Sequence, residues 1–391
     1  MTTSILDPDQ LVAQACEATG LNDFGEDGWQ EGLDRLVAAE REEAALSELG
    51  EQIAAGELVM YLSNRLGITD VHRRHPEIGA ADVTPPIVIV GQGRTGTTIL
   101  HDLLAQDPAH RVPLTWEVDR PCPPPEAVTY LSDPRIDEVD ALLGATDQLL
   151  PGFRALHPMG ARLAQECVRI TGCDFRSLIF ATQYRVPSYV QWLLEEADMA
   201  PAYRWHRRFL QALQWHNPGE RWVLKSPAHQ WCLGTLLGEY PNALLVQTHR
   251  DPLQVISSLG SLVASLRGLA SDDTSMAQAS AEFANYVLDG LDRSVAARED
   301  GSVPAGRIVD VQFRDFMADP FVTIGQLYEH LGLNLTDAAE QRMRAFLADN
   351  PRTRHGEHRY SFADTGLDAE EMRARSRRYQ EFFDVASEPV R

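Results

Sequence analysis

The stretch Pro86–Leu100, reading PIVIVGQGRTGTTIL, constrains this chain more than any other. Ile87 to Val90 is an unbroken apolar run, too short for a helix and rich in β-branched residues. That is how a strand buried on both faces of a parallel sheet reads. A turn with glycines at 91, 93 and 96 follows, and helical periodicity resumes from Thr97 through Leu104. Strand, glycine turn and helix together aim backbone N–H groups and the positive end of a helix at an anion.

The spacing of Gly91 and Gly96 matches the glycine pair of the nucleotide-binding P-loop, but Thr97 stands where that loop carries its lysine. The P-loop lysine serves the outer phosphates of a triphosphate. A loop without it, with Arg94 inside the turn, suits a different anion. A glycine turn that only lets a strand pack closely on a helix is the plain alternative.

Lysine usage sharpens the point. Of 35 basic residues only Lys225 is a lysine; the others are arginine. Arginine has taken nearly every position that tolerates it, and a lysine survives where chemistry needs a compact ammonium on a flexible stem. The net charge of −22 argues against nucleic acid as a partner, so an anionic ligand must be held by a local group of cations. No apolar run is long enough to span a membrane, and the first residues lack the basic and apolar regions of a secretory signal. Five scattered cysteines without a C-x-x-C fit a reducing compartment and give neither a disulfide framework nor a zinc site. A cytoplasmic location is the expectation.

Along the chain, residues 1–80 read as an acidic helical extension, a packing or oligomer-forming layer, and 81–391 as the α/β domain. Residues 127–220 read as a helical insertion with Tyr184, Tyr189, Trp192, Tyr203, Trp205, Phe209 and Trp215. These aromatics are either core or the lining of an acceptor-binding cap. Further strands are predicted at Arg221–Leu224, Ala243–His249 and Arg307–Phe313, alternating with helices, one of which starts at Asp251-Pro252. The fold class is α/β: a P-loop-like three-layer sandwich with a parallel sheet.

In such sheets ligands sit beyond the carboxyl ends of the strands. Three of those ends carry polar groups: the Gly91–Thr98 loop, Lys225-Ser226, and Arg250, which is followed eight residues later by Ser258. The loop Gly93-Arg94-Thr95-Gly96-Thr97-Thr98 and the Arg250…Ser258 pair resemble the sulfotransferases that use 3′-phosphoadenosine 5′-phosphosulfate (PAPS), in the bacterial branch related to tyrosylprotein sulfotransferases. That resemblance implies that Gly93, Arg94, Thr95, Gly96, Thr97 and Thr98 bind the 5′-phosphosulfate, and that Arg250 and Ser258 bind the 3′-phosphate. It makes Glu117 the catalytic base and gives Arg94 and Lys225 the leaving oxygen to neutralise, with no metal involved.

His101, His229, His249 and Asp119 are rival bases. The segment Arg352–Tyr360 is similar to the late basic stretch that covers the 3′-phosphate, or is a solvated tail. The expected reaction is transfer of a sulfuryl group to a hydroxyl of a partly apolar small molecule or lipid, with a homo-oligomer as a further possibility. A P-loop small-molecule kinase and a non-catalytic nucleotide-binding protein of the same fold are the alternatives.

Overall fold

A computed structural model describes residues 5–149, 159–351 and 361–390. Five parallel strands, β1 (Ile87–Val90), β2 (His110–Arg111), β3 (Arg221–Lys225), β4 (Leu244–His249) and β5 (Ile308–Gln312), form one sheet in the order β2-β3-β1-β4-β5. The chain adds β2 and β3 on one side of β1, then crosses to lay β4 and β5 on the other. The crevice at such a reversal is where doubly wound sheets take ligands.

The alternation of side chains builds a core on each face. Ile87, Ile89, Val223 and Val246 join Leu100, Leu103 and Leu104 of helix α4, below, in one. Val88, Val90, Trp222, Leu224 and Leu245 enter the other. Every residue of β1 is buried, as its apolar run predicts. Helices on both sides complete the three layers of an α/β sandwich.

The principal helices are α1 (Pro8–Thr19), α2 (Trp29–Glu43), α3 (Glu48–Arg74), α4 (Thr97–Leu104), α5 (Thr115–Asp119), α6 (Cys167–Gly172), α7 (Pro187–Glu195), α8 (Ala200–Gln214), α9 (Pro252–Arg267), α10 (Met276–Glu299) and α11 (Ala369–Phe383). Asp-Pro pairs open α1 and α9, the latter as its sequence predicts. The Asp7 carboxylate accepts from Gln10 N–H at 3.0 Å, and that of Asp251 from Leu253 N–H at 2.9 Å. Among the described residues, no helix is long and apolar enough to cross a membrane.

The N-terminal helices are not a separate layer. Leu33, Leu58 and Leu62 belong to the same core as Val88 and Trp222. The aromatics of the insertion belong there too: Tyr184, Tyr189, Trp192, Tyr203, Trp205 and Phe209 are all buried. They pack the interior, with Trp215 half-buried against the same core and Tyr203 also lining the small crevice beside His229. The basic segment Arg352–Tyr360 lies outside the described residues.

Candidate active site

The loop after β1 is held in a conformation that its glycines make possible. Gly91 has φ 121°, and a Cβ there would meet the Thr248 carbonyl oxygen at 2.6 Å. Arg94 itself adopts φ 70°, uncommon for a residue with a side chain, so the turn carries local strain. Buried Thr95 pins the turn by donating its hydroxyl to Gln92 O at 2.6 Å while accepting from Thr248 Oγ1 at 2.5 Å. Gly96, at φ 89°, opens α4 and has no side chain of its own to cap that helix. Its first N–H groups are therefore available to an anion.

Lys225 ends β3 directly beside this loop, paired in register with Ile89 of β1. It is 1% exposed, and its Nζ donates to Thr98 Oγ1 at 3.3 Å and forms an ion pair with Glu166. Glu166 does not come from a neighbouring strand end. Gln165 N–H donates to Pro113 O at 2.8 Å, Thr115 N–H to Leu163 O and Trp116 N–H to Ala161 O at 3.0 Å. This short antiparallel run, residues 113–116 against 161–165, carries Glu166 to Lys225 at the start of α6. Nothing in its local sequence, Ala164-Gln165-Glu166-Cys167, marks it as functional.

Glu117 has a different environment from the one expected of a base. It is completely buried. Its Oε1 accepts from Arg111 Nη1 at 2.7 Å, Leu114 N–H at 2.8 Å and Tyr130 OH at 2.9 Å, and its Oε2 accepts from Arg111 Nη2 at 2.8 Å. Arg111 is buried as well, and donates to the carbonyls of Val112, Leu213 and Asn217. Both carboxylate oxygens thus carry hydrogen bonds, and the side chain is closed off from solvent. Glu117 thus caps α5 and braces the 113–116 run that positions Glu166. The other carboxylate rival, Asp119, is held by Arg169 at 2.7 Å.

The histidines are also committed or neutral. His249 shares its two ring nitrogens with Tyr379 OH at 2.7 Å and Asp310 at 2.9 Å. His101 Nε2 donates to Val223 O at 3.0 Å, and burial, aided by the Lys225 charge, pushes its pKa down to about 3. His229 is pushed to about 4 by burial; its Nδ1 meets Tyr203 OH at 2.8 Å, and its Nε2 has no partner among the described residues. It lines a small crevice of about 30 Å³ with Ser226, Leu193, Leu194, Met199 and Trp231.

The third strand end carries Arg250, whose guanidinium stacks on Phe313 at 4.3 Å and donates to Arg94 O at 3.1 Å. Arg94 reaches the same region, its Nε donating to Ser258 Oγ at 2.9 Å. The loop after β1 is therefore continuous with the Arg250–Ser258 cluster, while Lys225 stands on its other side. Arg250 also forms an ion pair with Glu388 at 2.9 Å. Among the described residues, no three His, Cys, Asp or Glu side chains cluster as a metal site.

Residues 85–337, spanning the loop and all three strand ends, match the profile described as the Sulfotransferase family. The chain belongs to that family. As a sulfotransferase it resembles solved structures over nearly its whole length. STF1 from Mycobacterium tuberculosis H37Rv superposes with a TM-score of 0.85 at 34% identity, covering 95% of this chain and 98% of that one. STF9 from Mycobacterium avium gives 0.88 at 30% identity, covering 97% of each. In sequence, this sulfotransferase is 29% identical over 297 residues to the omega-hydroxy-beta-dihydromenaquinone-9 sulfotransferase Stf3 of Mycobacterium bovis, 71% of this chain and 70% of that one. The family sets aside the kinase and the non-catalytic protein that its loop alone left open.

Proposed function

We propose that this sulfotransferase moves the sulfuryl group of PAPS to a hydroxyl of an apolar, lipid-like acceptor. The observation that carries the reading is the position of Lys225: the chain's only lysine, buried, at a strand end, on the hydroxyl of loop residue Thr98. The loop Gly93–Thr98 and the start of α4 suit the 5′-phosphosulfate, where backbone N–H groups meet an anion at no cost in reorganisation. Lys225 is placed to neutralise the oxygen that bridges sulfur and phosphorus as the bond to sulfur breaks. Arg250 and Ser258, joined to the loop through Arg94, suit the 3′-phosphate. Sulfuryl transfer, like phosphoryl transfer, then depends on in-line positioning and on charge stabilisation at the leaving oxygen.

The acceptor class draws support from the mycobacterial relative, whose name specifies a hydroxylated menaquinone derivative as its acceptor. The experiment is incubation with ³⁵S-labelled PAPS and a panel of geraniol, farnesol and 2-naphthol, alongside calorimetric binding of adenosine 3′,5′-bisphosphate. Label is expected on the isoprenoid alcohols, and Lys225→Ala should lower turnover at least about a hundredfold, the loss of one transition-state contact. Bisphosphate that fails to bind, or Lys225→Ala with unchanged turnover, would overturn the reading.

A further inference from the structure

We infer that the carboxylate that takes up the acceptor's proton is Glu166, held beside the donor loop by its ion pair with Lys225. The inference rests on the PAPS reading above. Sulfuryl transfer needs a proton acceptor on the side of sulfur away from the leaving oxygen. A lysine that touches both Thr98 of the loop and a carboxylate joins those two sides within the span of one ammonium group. Glu117 is fully buried with both oxygens bonded, whereas the Glu166 side chain is 19% exposed. The charged and titratable groups facing Glu166 are Lys225 from β3, His101 from α4, His229 from the turn after β3 and Cys167 beside it. Both histidines are neutral at neutral pH, and among the described residues Lys225 is the cation paired with it.

In the step, the acceptor oxygen forms its bond to sulfur. The bond from sulfur to the 5′-phosphate oxygen breaks, its electron pair passing to that oxygen, and the hydroxyl proton moves to Glu166. A sulfate ester and adenosine 3′,5′-bisphosphate leave.

The test measures kcat against pH with the panel alcohol that the unaltered enzyme sulfates fastest. Glu166→Gln should lose about 10²–10⁴-fold in kcat, the usual contribution of a positioned base. It should also lose the acid limb of the profile, and bind the bisphosphate within about threefold of the unaltered enzyme. Glu166→Asp keeps a carboxylate and should retain the acid limb at reduced kcat. Turnover of Glu166→Gln within tenfold of the unaltered enzyme would overturn the inference. So would a fall in kcat with the acid limb intact, or Glu166→Asp behaving as Glu166→Gln does. Bisphosphate binding and label transfer by the unaltered enzyme test the reaction itself, so the two readings fail separately.

A separate observation concerns the other end of the donor site. The Glu388 carboxylate meets Arg250 Nε at 2.9 Å and Nη2 at 3.2 Å. Its backbone is tied down on both sides: its N–H donates to Asp251 Oδ2 at 2.6 Å, and its carbonyl accepts from Arg373 at 3.2 Å. An anionic group thus already occupies the arginine assigned to the 3′-phosphate. We propose that Glu388 is a built-in competitor for that phosphate, displaced from Arg250 when the donor binds.

Glu388→Gln should tighten adenosine 3′,5′-bisphosphate about three- to tenfold and leave adenosine 5′-monophosphate, which lacks the 3′-phosphate, unchanged. Unchanged or weaker bisphosphate binding in that variant would overturn the proposal. Arg250→Ala tests the underlying assignment separately, because it should abolish the preference for the bisphosphate over the monophosphate whatever Glu388 does.

Discussion

Glu117 and Glu166 lie on two segments joined by a short antiparallel run, yet they inhabit opposite chemical worlds. Glu117 accepts four hydrogen bonds, two from a buried guanidinium, and sees no solvent. Glu166 is partly exposed and faces a lysine beside the loop after β1. The first arrangement spends the carboxylate's lone pairs on holding backbone in place; the second keeps a charged group within reach of a ligand. A third carboxyl completes the series. Glu40 in α2 is 1% exposed, has no hydrogen-bond partner on either oxygen among the described residues, and is driven well above the usual carboxyl range by burial, with the Glu57 charge adding to it. It is held neutral.

The largest expected effect separates the first two. Glu117→Ala strands Arg111 as a buried, unpaired cation and should cost about 3–5 kcal/mol of stability, read by urea denaturation. The fraction that remains folded should keep the acid limb of its pH profile. A Glu117→Ala protein of normal stability would show that the buried pair braces nothing.

Glu40→Met should act in the other direction and stabilise by about 1–3 kcal/mol, because it removes an orphaned polar group from the interior. The pH dependence follows from its raised pKa. Above about pH 4.5 the unfolded chain ionises Glu40 while the native state retains the proton, so the original residue loses stability as pH rises. The gain from Glu40→Met should therefore be larger at pH 8 than at pH 4. Parallel melting curves at the two pH values would contradict a neutral Glu40.

Acid sensitivity sums over three residues and is comparable in size to the Glu117→Ala effect. His101 and His206 are depressed to about 3 and His229 to about 4, each chiefly by burial. As pH falls below about 6.5, the unfolded chain binds protons that the native imidazoles refuse, and each histidine removes about 1.4 kcal/mol per pH unit. That loss continues down to each histidine's folded pKa. Denaturant midpoints between pH 7 and pH 5 should fall accordingly, and a flat profile would mean that these rings are not neutral in the fold. The smallest effect is on the stability of Glu166→Gln, about 1 kcal/mol, since the amide oxygen still accepts from Lys225. A loss as large as that of Glu117→Ala would erase the contrast between the two carboxylates.

Much of the donor side was legible in the sequence. The apolar Ile87–Val90 run, the glycine spacing, Lys225, Arg250 and Ser258 all follow from local pattern plus the rule that parallel sheets present ligands at strand ends, and the structure gathers them around one loop. The two-residue β2 was not legible, because His110–Arg111 has no periodicity to show. The burial of Glu117 was not legible for a related reason. It sits in a charged, polar stretch that reads as exposed, but the chain folds Arg111 back onto it from six positions away. The aromatics of 127–220 likewise fit core and cap equally well until packing put them inside.

By itself, the sequence determined the layered α/β architecture, the glycine turn after β1 and the cations around it, because these depend on short-range periodicity, glycine φ angles and the chemistry of single residue types. Only the tertiary structure decided which carboxylate meets the lysine and which acid already sits on Arg250. Those outcomes depend on desolvation and on partners brought from 59 and 138 positions away, and no local pattern in a chain encodes what its charges will face once it is folded.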